Sequence, residues 1–377
     1  MSGGKRPAAD SFGSSQLVKR AKSDANIGGS SAIAVVNGTA KNGALIQAVQ
    51  RTSSLQSPTM ELTGHTKEVF AARFDPTGQF IASGSGDRNI LLWRSTGTCE
   101  NHGILAGHKQ AILDLRWSRD SKVLWSASAD KTLASWDVQT GERLRRHFGH
   151  DEVINCMDSV KRGAEVLVSG SDDGCIGIWD ARTKNGMSLI QTDFPVTAIA
   201  VSEDGTQVFS GSIDNDIQVW DVRNRKIMFS LLGHNDTITS LELSPDHNTL
   251  LSNSHDSTVR TWDIRPFAPV ERSIRTYDGA PGGQDHNLLK ASWDKKGERI
   301  AAGSGDQTIA IWNAQTGKLL HKLPGHRGAV NDVRFSPGDE PLCKFHCIPF
   351  TLTHGSSLEL VWRRALGRMN IRLLTST

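Results

Sequence analysis

The chain contains 377 residues, of which 37% are hydrophobic and 22% are charged, proportions typical of a soluble globular protein with an ample core. This length suits one large all-β domain or two smaller domains. No apolar run approaches the roughly 18 residues that a membrane helix needs, and the N-terminus lacks the apolar stretch of a signal peptide. The chain has five cysteines, which is an odd number and too few for a disulfide scaffold in a chain of this length. A reducing compartment is therefore favoured, and we expect no membrane partner.

The net charge of +3 is unevenly distributed along the chain. Residues 1–56 carry a net charge of +5 and residues 343–377 carry +4, whereas residues 57–342 carry −6. A nucleic-acid-binding domain ordinarily presents a basic stripe on its own surface. The acidic body therefore argues against direct binding of nucleic acid.

The first 56 residues are rich in Gly, Ser, Ala, Asn and Lys, with Phe12 as their one aromatic residue. Because such a segment buries too little apolar surface to offset the entropy of ordering, we predict a disordered basic tail. Two basic clusters in it, separated by twelve residues, resemble a bipartite nuclear-import signal that an import receptor would bind. The residues of this signal are Lys5, Arg6, Lys19, Arg20 and Lys22. An ordinary solvated basic tail is the alternative interpretation.

An internal repeat dominates residues 57–342. In six units an Asp is followed six positions later by a Trp, and successive Trp residues lie 43, 43, 41, 42 and 50 positions apart. The pairs are Asp87 and Trp93, Asp130 and Trp136, Asp173 and Trp179, Asp214 and Trp220, Asp256 and Trp262, and Asp306 and Trp312.

Each unit has the same internal order of short segments. A Gly-His pair such as Gly64-His65 precedes an apolar run, a turn and a Ser-rich run, and a segment of period two leads from the Asp turn to the Trp. Four short antiparallel strands per unit form one blade of a β-propeller. The Trp-Asp dipeptide, as at Trp136-Asp137, resembles the WD-repeat family. We therefore expect an all-β, seven-bladed WD40 β-propeller over residues 57–342, preceded by the disordered N-terminal tail.

The resemblance also implies a role for the repeated polar residues. In WD-repeat blades a His, a Ser, the Asp and the Trp form a buried hydrogen-bonded chain, which in the first blade would be His65, Ser83, Asp87 and Trp93. A buried indole N–H and a buried carboxylate each need a partner. A catalytic triad is needed once, whereas this set recurs from blade to blade. We therefore expect these residues to be structural, and we expect no enzyme, cofactor or metal site.

Two blades depart from the pattern. Thr192 occupies the His position of the fourth blade, and Gln284 occupies it in the sixth, after an insertion that contains Arg265-Pro266-Phe267-Ala268-Pro269. His286 is a possible substitute, although its spacing to Asp306 is two residues short. We expect packing to stabilise these blades more than the polar chain does.

The seventh blade is incomplete or aberrant. Gly325-His326 opens it, but Ile348 and His354 stand where the spacing requires an Asp and a Trp, and residues 343–377 no longer resemble a blade. An altered reading frame or retained intron is the favoured explanation, and a divergent but functional blade is the second. A zinc site is the third, although its spacing matches no usual ligand set. Its ligands would be Cys343, His346, Cys347 and His354.

Stretches outside the repeat resemble the family of 40-kDa WD-repeat subunits of the U5 small nuclear ribonucleoprotein. The resemblance covers about residues 53–342 and is most specific at the Arg265–Pro269 insertion. It implies a nuclear scaffold protein of the spliceosome that binds the large central U5 scaffold protein in pre-mRNA splicing. Association with U5 small nuclear RNA would be indirect.

Related propellers bind partners near the loops that follow the His and precede the Asp. The corresponding residues here are Glu68, Phe70, Asn155, Asp172, Ile213, His255 and Asn331. Apolar residues on that rim, such as Phe70 or Ile213, are plausible anchors for a partner. Each of these positions is also compatible with an ordinary loop residue.

A second functional hypothesis comes from three Trp-Asp-x-Arg sequences that end at Arg182, Arg223 and Arg265. They match propellers that act as substrate receptors of cullin-type ubiquitin ligases, although the motif is short and frequent among WD repeats. An enzymatic function has no motif to support it.

Overall fold

The computed structural model describes residues 59–180, 188–269, 271–283, 287–338, 342–345 and 370–374. The regular elements of these ranges are 28 β-strands arranged in seven antiparallel four-stranded sheets. No helix in the described ranges is long and apolar enough to cross a membrane. The tail of residues 1–56 and its import signal lie outside the described residues.

Six sheets are regular blades, each built from four strands that are consecutive along the chain. Blade one contains β2 (Val69–Phe74), β3 (Phe80–Ser85), β4 (Asn89–Arg94) and β5 (Asn101–Ala106). Blade two contains β6 (Ile112–Trp117), β7 (Val123–Ser128), β8 (Leu133–Asp137) and β9 (Arg143–His147). Blade three contains β10 (Ile154–Ser159), β11 (Val166–Ser171), β12 (Cys175–Asp180) and β13 (Ser188–Gln191).

The other three blades have the same order. Blade four contains β14 (Val196–Val201), β15 (Gln207–Ser212), β16 (Ile217–Asp221) and β17 (Lys226–Leu231). Blade five contains β18 (Ile238–Leu243), β19 (Thr249–Ser254), β20 (Thr258–Asp263) and β21 (Ser273–Asp278). Blade six contains β22 (Ala291–Trp293), β23 (Arg299–Gly303), β24 (Ile309–Asn313) and β25 (Leu319–Leu323).

The remaining sheet, called the closing sheet below, draws on both ends of the described chain. Its strand order is β1 (Thr59–Thr63), β28 (Asn370–Leu374), β27 (Leu342–Phe345) and β26 (Asp332–Phe335). The all-β WD40 propeller is thus confirmed, but with six regular blades rather than the seven predicted. Parts of residues 343–377, predicted to be aberrant, supply strands of the closing sheet, whereas His346, Cys347 and His354 lie outside the described residues.

The Asp of each repeat forms the turn between the second and third strands of its blade. In blade one the Asp87 carboxylate accepts a hydrogen bond of 2.9 Å from the backbone N–H of Asn89. Arg88 between them has a φ of 74°, a left-handed conformation that a non-glycine residue adopts only with local support. The Asp is therefore required by the turn as well as by the polar chain.

Each blade packs its apolar side chains against the next blade. Leu92 of blade one, for example, belongs to a buried cluster with Ile112 and Trp136 of blade two. The innermost strands contact one another in cyclic order, from β2 through β6, β10, β14, β18 and β22 to β26, which in turn contacts β2. The ring is thereby closed, and its innermost strands surround a central channel.

Candidate functional site

The polar chain of blade one joins the four residues that the sequence indicates. His65 lies with Nδ1 2.9 Å from Asp87 Oδ2 and with Nε2 2.8 Å from Ser83 Oγ. Trp93 donates its indole N–H to the same Ser83 oxygen at 2.9 Å. Because His65 is 3% exposed and both its ring nitrogens have partners, the side chain is held inside the blade.

The same four-residue chain recurs in blades two, three and five. Its His–Asp distances are 3.0, 2.8 and 2.8 Å, and its Trp–Ser distances are 2.8, 2.7 and 2.8 Å. The three sets are His108, Ser126, Asp130 and Trp136; His150, Ser169, Asp173 and Trp179; and His234, Ser252, Asp256 and Trp262. Four such sets place the Gly-His loops and the Asp turns at one end of the blades, called the His face below.

Blades four and six lack this chain. In blade four Trp220 still donates to Ser210 at 2.8 Å, but the Thr192 hydroxyl bonds backbone carbonyls instead of an Asp. In blade six Trp312 donates to the Asp278 carbonyl, and Asp306 pairs with Lys322 at 2.7 Å. Gln284 and His286 lie outside the described residues.

The candidate partner contacts divide into two groups. Asp172 and Ile213 are exposed at the His face, and Glu68, Phe70 and His255 are half-buried there. These five residues are therefore within reach of a partner.

Asn155 and Asn331 differ, because both are buried. The Asn155 amide donates to the Val196 carbonyl of the next blade at 3.2 Å, and the Asn331 amide donates to the Val69 carbonyl at 3.0 Å. Each Asn therefore joins its blade to the next one, and its amide is not presented to a partner. Their place in the sequence next to a loop does not reveal this burial.

The most extensive polar site lies in the central channel and was not anticipated from the sequence. We call it the central ion network. It contains four cations and four anions, so it is neutral overall. Its members are Arg73, Arg116, Lys290, Arg334, Asp114, Asp158, Glu242 and Asp332.

Two carboxylates anchor the network. Asp114 accepts bonds from Arg73 at 2.8 Å and from Lys290 at 2.9 Å. Asp332 pairs with Arg73, and Arg334 donates to it at 2.9 Å. Because these groups belong to different blades, the network joins blades one, two and six to the closing sheet.

The surroundings keep both carboxyl groups ionised. Burial tends to raise the pKa of Asp114, but the charges of Lys290, Arg116 and Arg73 outweigh it and hold that pKa far below its usual range. The pKa of Asp332 is lowered in the same way by Arg334 and Arg73 against the effect of burial. Burial lowers the pKa of Lys290, although Asp114 opposes the shift.

The network leads to a cavity at the end of the channel opposite the His face. The cavity has a volume of about 410 Å³, and its walls include Arg116, Glu242 and Trp293. Two ion pairs of the network line its walls, Arg116 with Asp158 and Arg334 with Glu242. Within the ranges the structure describes, no group of three or more His, Cys, Asp or Glu residues is arranged to hold a metal ion.

One sequence signal could have indicated the network. Arg73, Arg116 and Arg334 occupy the same position in the first strands of three units, where a strand in a core would ordinarily be apolar. Three cations at one repeat position predict a ring of charge around the axis of the propeller.

Comparisons with known proteins agree with this architecture. Residues 56–94 match the model of the WD domain, G-beta repeat. Residues 86–343 match the model of the Nucleolar protein 10-like, N-terminal domain. Both matches concern propeller repeats.

Similar proteins resemble this chain over most of its length. The pre-mRNA-splicing factor cwf17 of Schizosaccharomyces pombe is 50% identical over 289 residues, which cover 77% of this chain and 85% of that protein. The U5 small nuclear ribonucleoprotein 40 kDa protein of Dictyostelium discoideum is 46% identical over 79% of this chain and 84% of its own length. The Homo sapiens protein of the same name is 43% identical over 86% of this chain and 91% of its own length. The chain therefore belongs to the WD-repeat family of cwf17 and the U5 small nuclear ribonucleoprotein 40 kDa proteins.

Proposed function

We propose that this protein is a non-catalytic scaffold protein of the spliceosome that acts in the nucleus during pre-mRNA splicing. The observation that carries the proposal is the identity of 43–50% to U5 and splicing proteins over more than three quarters of the chain. The polar chains also support it, because their His, Ser and Asp side chains bond one another inside the blades.

The proposed partner is the large central scaffold protein of the U5 particle, through which the association with U5 RNA would be indirect. The negative charge of residues 57–342 supports a protein partner over direct RNA contact. Entry into the nucleus is assigned to the tail, where Lys5, Arg6, Lys19, Arg20 and Lys22 would bind an import receptor.

We assign partner binding to the His face, at Glu68, Phe70, Asp172, Ile213 and His255. Ile213 is an exposed aliphatic side chain at the rim, where an anchor residue would bury the most apolar area. Asn155 and Asn331 act in this proposal by holding adjacent blades in register.

The closing sheet would complete the ring as a seventh blade. Two features support this role: β26 contacts β2 and β22, and β1 pairs with β28 through five residues. Arg73 of blade one also pairs with Asp332 at the start of β26. In this proposal the propeller still begins after residue 56, as the sequence predicts, but it extends beyond residue 342 to include β27 and β28.

Affinity purification of the tagged full-length chain from nuclear extract tests the proposed function. Splicing proteins and U5 RNA should be recovered together, and RNase treatment should leave the protein partners bound. Recovery of a cullin and its adaptor without splicing proteins would instead favour the ubiquitin-ligase hypothesis. Arg265 gives that alternative a specific test, since its side chain is 61% exposed, and Arg265→Ala should then abolish the recovery of the adaptor.

A further inference from the structure

Blade four presents three large apolar side chains at the His face, one from each of three loops. Phe194, Ile213 and Leu232 are 43%, 49% and 65% exposed. We call these three residues the apolar cluster. Monomeric proteins rarely place several large apolar side chains together in water unless the patch binds something.

Strand register places the three side chains at the same end of the blade. Val196 pairs with Ser212, so Phe194, two residues before Val196, and Ile213, next to Ser212, extend beyond the same strand ends. Ile217 pairs with Leu231, which places Leu232 at that end too. The cluster therefore spans blade four from its innermost strand to its outermost strand.

At the position before the turn Asp, a large apolar residue is specific to blade four among the six regular blades. The residue before the turn Asp is Ile213 here, whereas the equivalent positions in other blades carry small or polar residues. Those residues are Gly86, Ala129, Asp172, His255 and Gly305. Blade four also has Thr192 instead of the His, so its His-face loops differ from the repeat in two independent ways.

Acidic side chains lie in the His-face loops on both sides of the apolar cluster, and the guanidinium of Arg260 on β20 is the cation next to Leu232, beside Gly233. The His-face loops of blades three, four and five contain no Lys or Arg. The acidic side chains of this region, called the acidic sector below, are Asp151, Asp172, Asp193, Asp216 and Asp236. The loops of blades one and two instead carry Lys67, Arg88, Lys109 and Lys131, and Lys131 pairs with Glu152 at the border.

We propose that the apolar cluster and the acidic sector together bind a segment of a partner protein that combines a large apolar side chain with flanking Lys or Arg residues. The apolar side chain would cover Ile213 and Phe194, and the basic residues would lie over the loops of blades three and five. Charge complementarity of this kind speeds association and selects the partner, whereas the buried anchor supplies most of the affinity. The inference rests on the proposed function only in that this protein holds another protein.

Site-specific photo-crosslinking tests the proposal. Benzoylphenylalanine replaces Phe194 in the full-length protein, which is irradiated in nuclear extract before the crosslinked peptides are sequenced. The matched control carries the same group at Ile104, which is 61% exposed on the outer strand β5 of blade one. We expect crosslinks from position 194, and not from position 104, to peptides of another protein that have a net positive charge and a large apolar residue.

Charge variants then test the role of the acidic sector. In the crosslinking protein, Asp151→Asn with Asp193→Asn should lower the yield at position 194 about tenfold at low salt. Glu100→Gln with Glu142→Gln removes the same charge from exposed positions outside the sector and should leave the yield unchanged. Thermal unfolding of each variant establishes that the fold is intact.

The outcomes separate this inference from the proposed function. Crosslinks to neutral or acidic peptides, to residues 1–56 of this chain, to a second copy, or to nothing would overturn the inference, even if splicing proteins co-purify. An unchanged yield in the Asp151→Asn, Asp193→Asn protein would also overturn it. Crosslinks to a basic, apolar segment in the absence of splicing proteins would support the inference and contradict the spliceosomal function.

Discussion

The ammonium group of Lys290, just before the first strand of blade six, lies 2.9 Å from the carboxylate of Asp114 in blade two. It also donates to the Leu113 carbonyl at 3.1 Å. Blades two and six are not neighbours in the ring, so this side chain reaches across the central channel. Blade six lacks the His–Ser–Trp chain, and Lys290 gives it a different polar attachment to the rest of the molecule.

Removing this cation should destabilise the fold. Lys290→Met leaves Asp114 buried with less compensating charge, and we expect the free energy of unfolding to fall by about 3 kcal/mol. Urea unfolding followed by tryptophan fluorescence measures the loss. Lys131→Met is the matched control, because the Lys131–Glu152 pair is about half exposed and should contribute less than about 1 kcal/mol. Equal midpoints for the two variants would contradict a structural role for Lys290.

The polar chains predict a difference between blades three and four. Ser169→Ala removes the partner of both His150 and Trp179, and should cost about 3 kcal/mol because two buried groups lose a hydrogen bond. Ser210→Ala removes only the partner of Trp220, and should cost about half as much. Urea midpoints of the two variants compare these losses directly. A larger loss for Ser210→Ala would mean that packing, rather than the chain, sets the stability of each blade.

The polar chain also predicts that the stability of the protein falls in acid. Burial tends to raise the pKa of Asp130, but bonds from His108, the Lys109 backbone N–H and Thr132 lower it well below the usual value. A carboxyl group with a depressed folded-state pKa contributes stability above its unfolded pKa of about 3.9, and this stability is lost as the pH falls toward the folded value.

Asp130→Asn should therefore be less stable than the unmodified protein by about 2 kcal/mol at neutral pH, and the difference should shrink below about pH 4. The melting temperatures of both proteins, measured at a series of pH values from neutral to acidic, show this difference. Asp151→Asn, at an exposed position, provides the control, with a small difference that does not depend on pH. A constant difference for Asp130→Asn across the whole range would exclude the ionised carboxylate as its cause.

Asn155 and Ile213 should have opposite phenotypes. Asn155→Ala removes the bond to Val196 of the next blade and should cost about 1–2 kcal/mol, while folded protein still captures its partners. Ile213→Asp at an exposed rim position should change stability by no more than about 0.5 kcal/mol, but should reduce partner capture. Melting temperature and affinity purification of each variant measure the two properties. If fully folded Asn155→Ala protein captured less partner, Asn155 would have to be a partner contact after all.

Local patterns predicted the blades well, because each Asp turn and each Trp is specified within one repeat. The Asp87 turn and the Ser83–Trp93 bond need residues no more than ten positions apart. The central ion network is different, since Lys290 and Asp114 are 176 positions apart. Charged residues within strands ordinarily indicate a solvated face, and only ring closure brings these charges together. The same reason explains why Asn155 and Asn331 resemble surface residues in the sequence.

Strand β1, at the beginning of the described chain, completes a sheet whose other members include β28 at residues 370–374. The ring consequently has a seam, held by backbone hydrogen bonds between segments that lie more than 300 positions apart along the chain. During translation, blades one to six can form in turn, but β1 has no partner until residues 370–374 leave the ribosome. A chain that stops early would therefore leave an open sheet edge available for pairing with other chains.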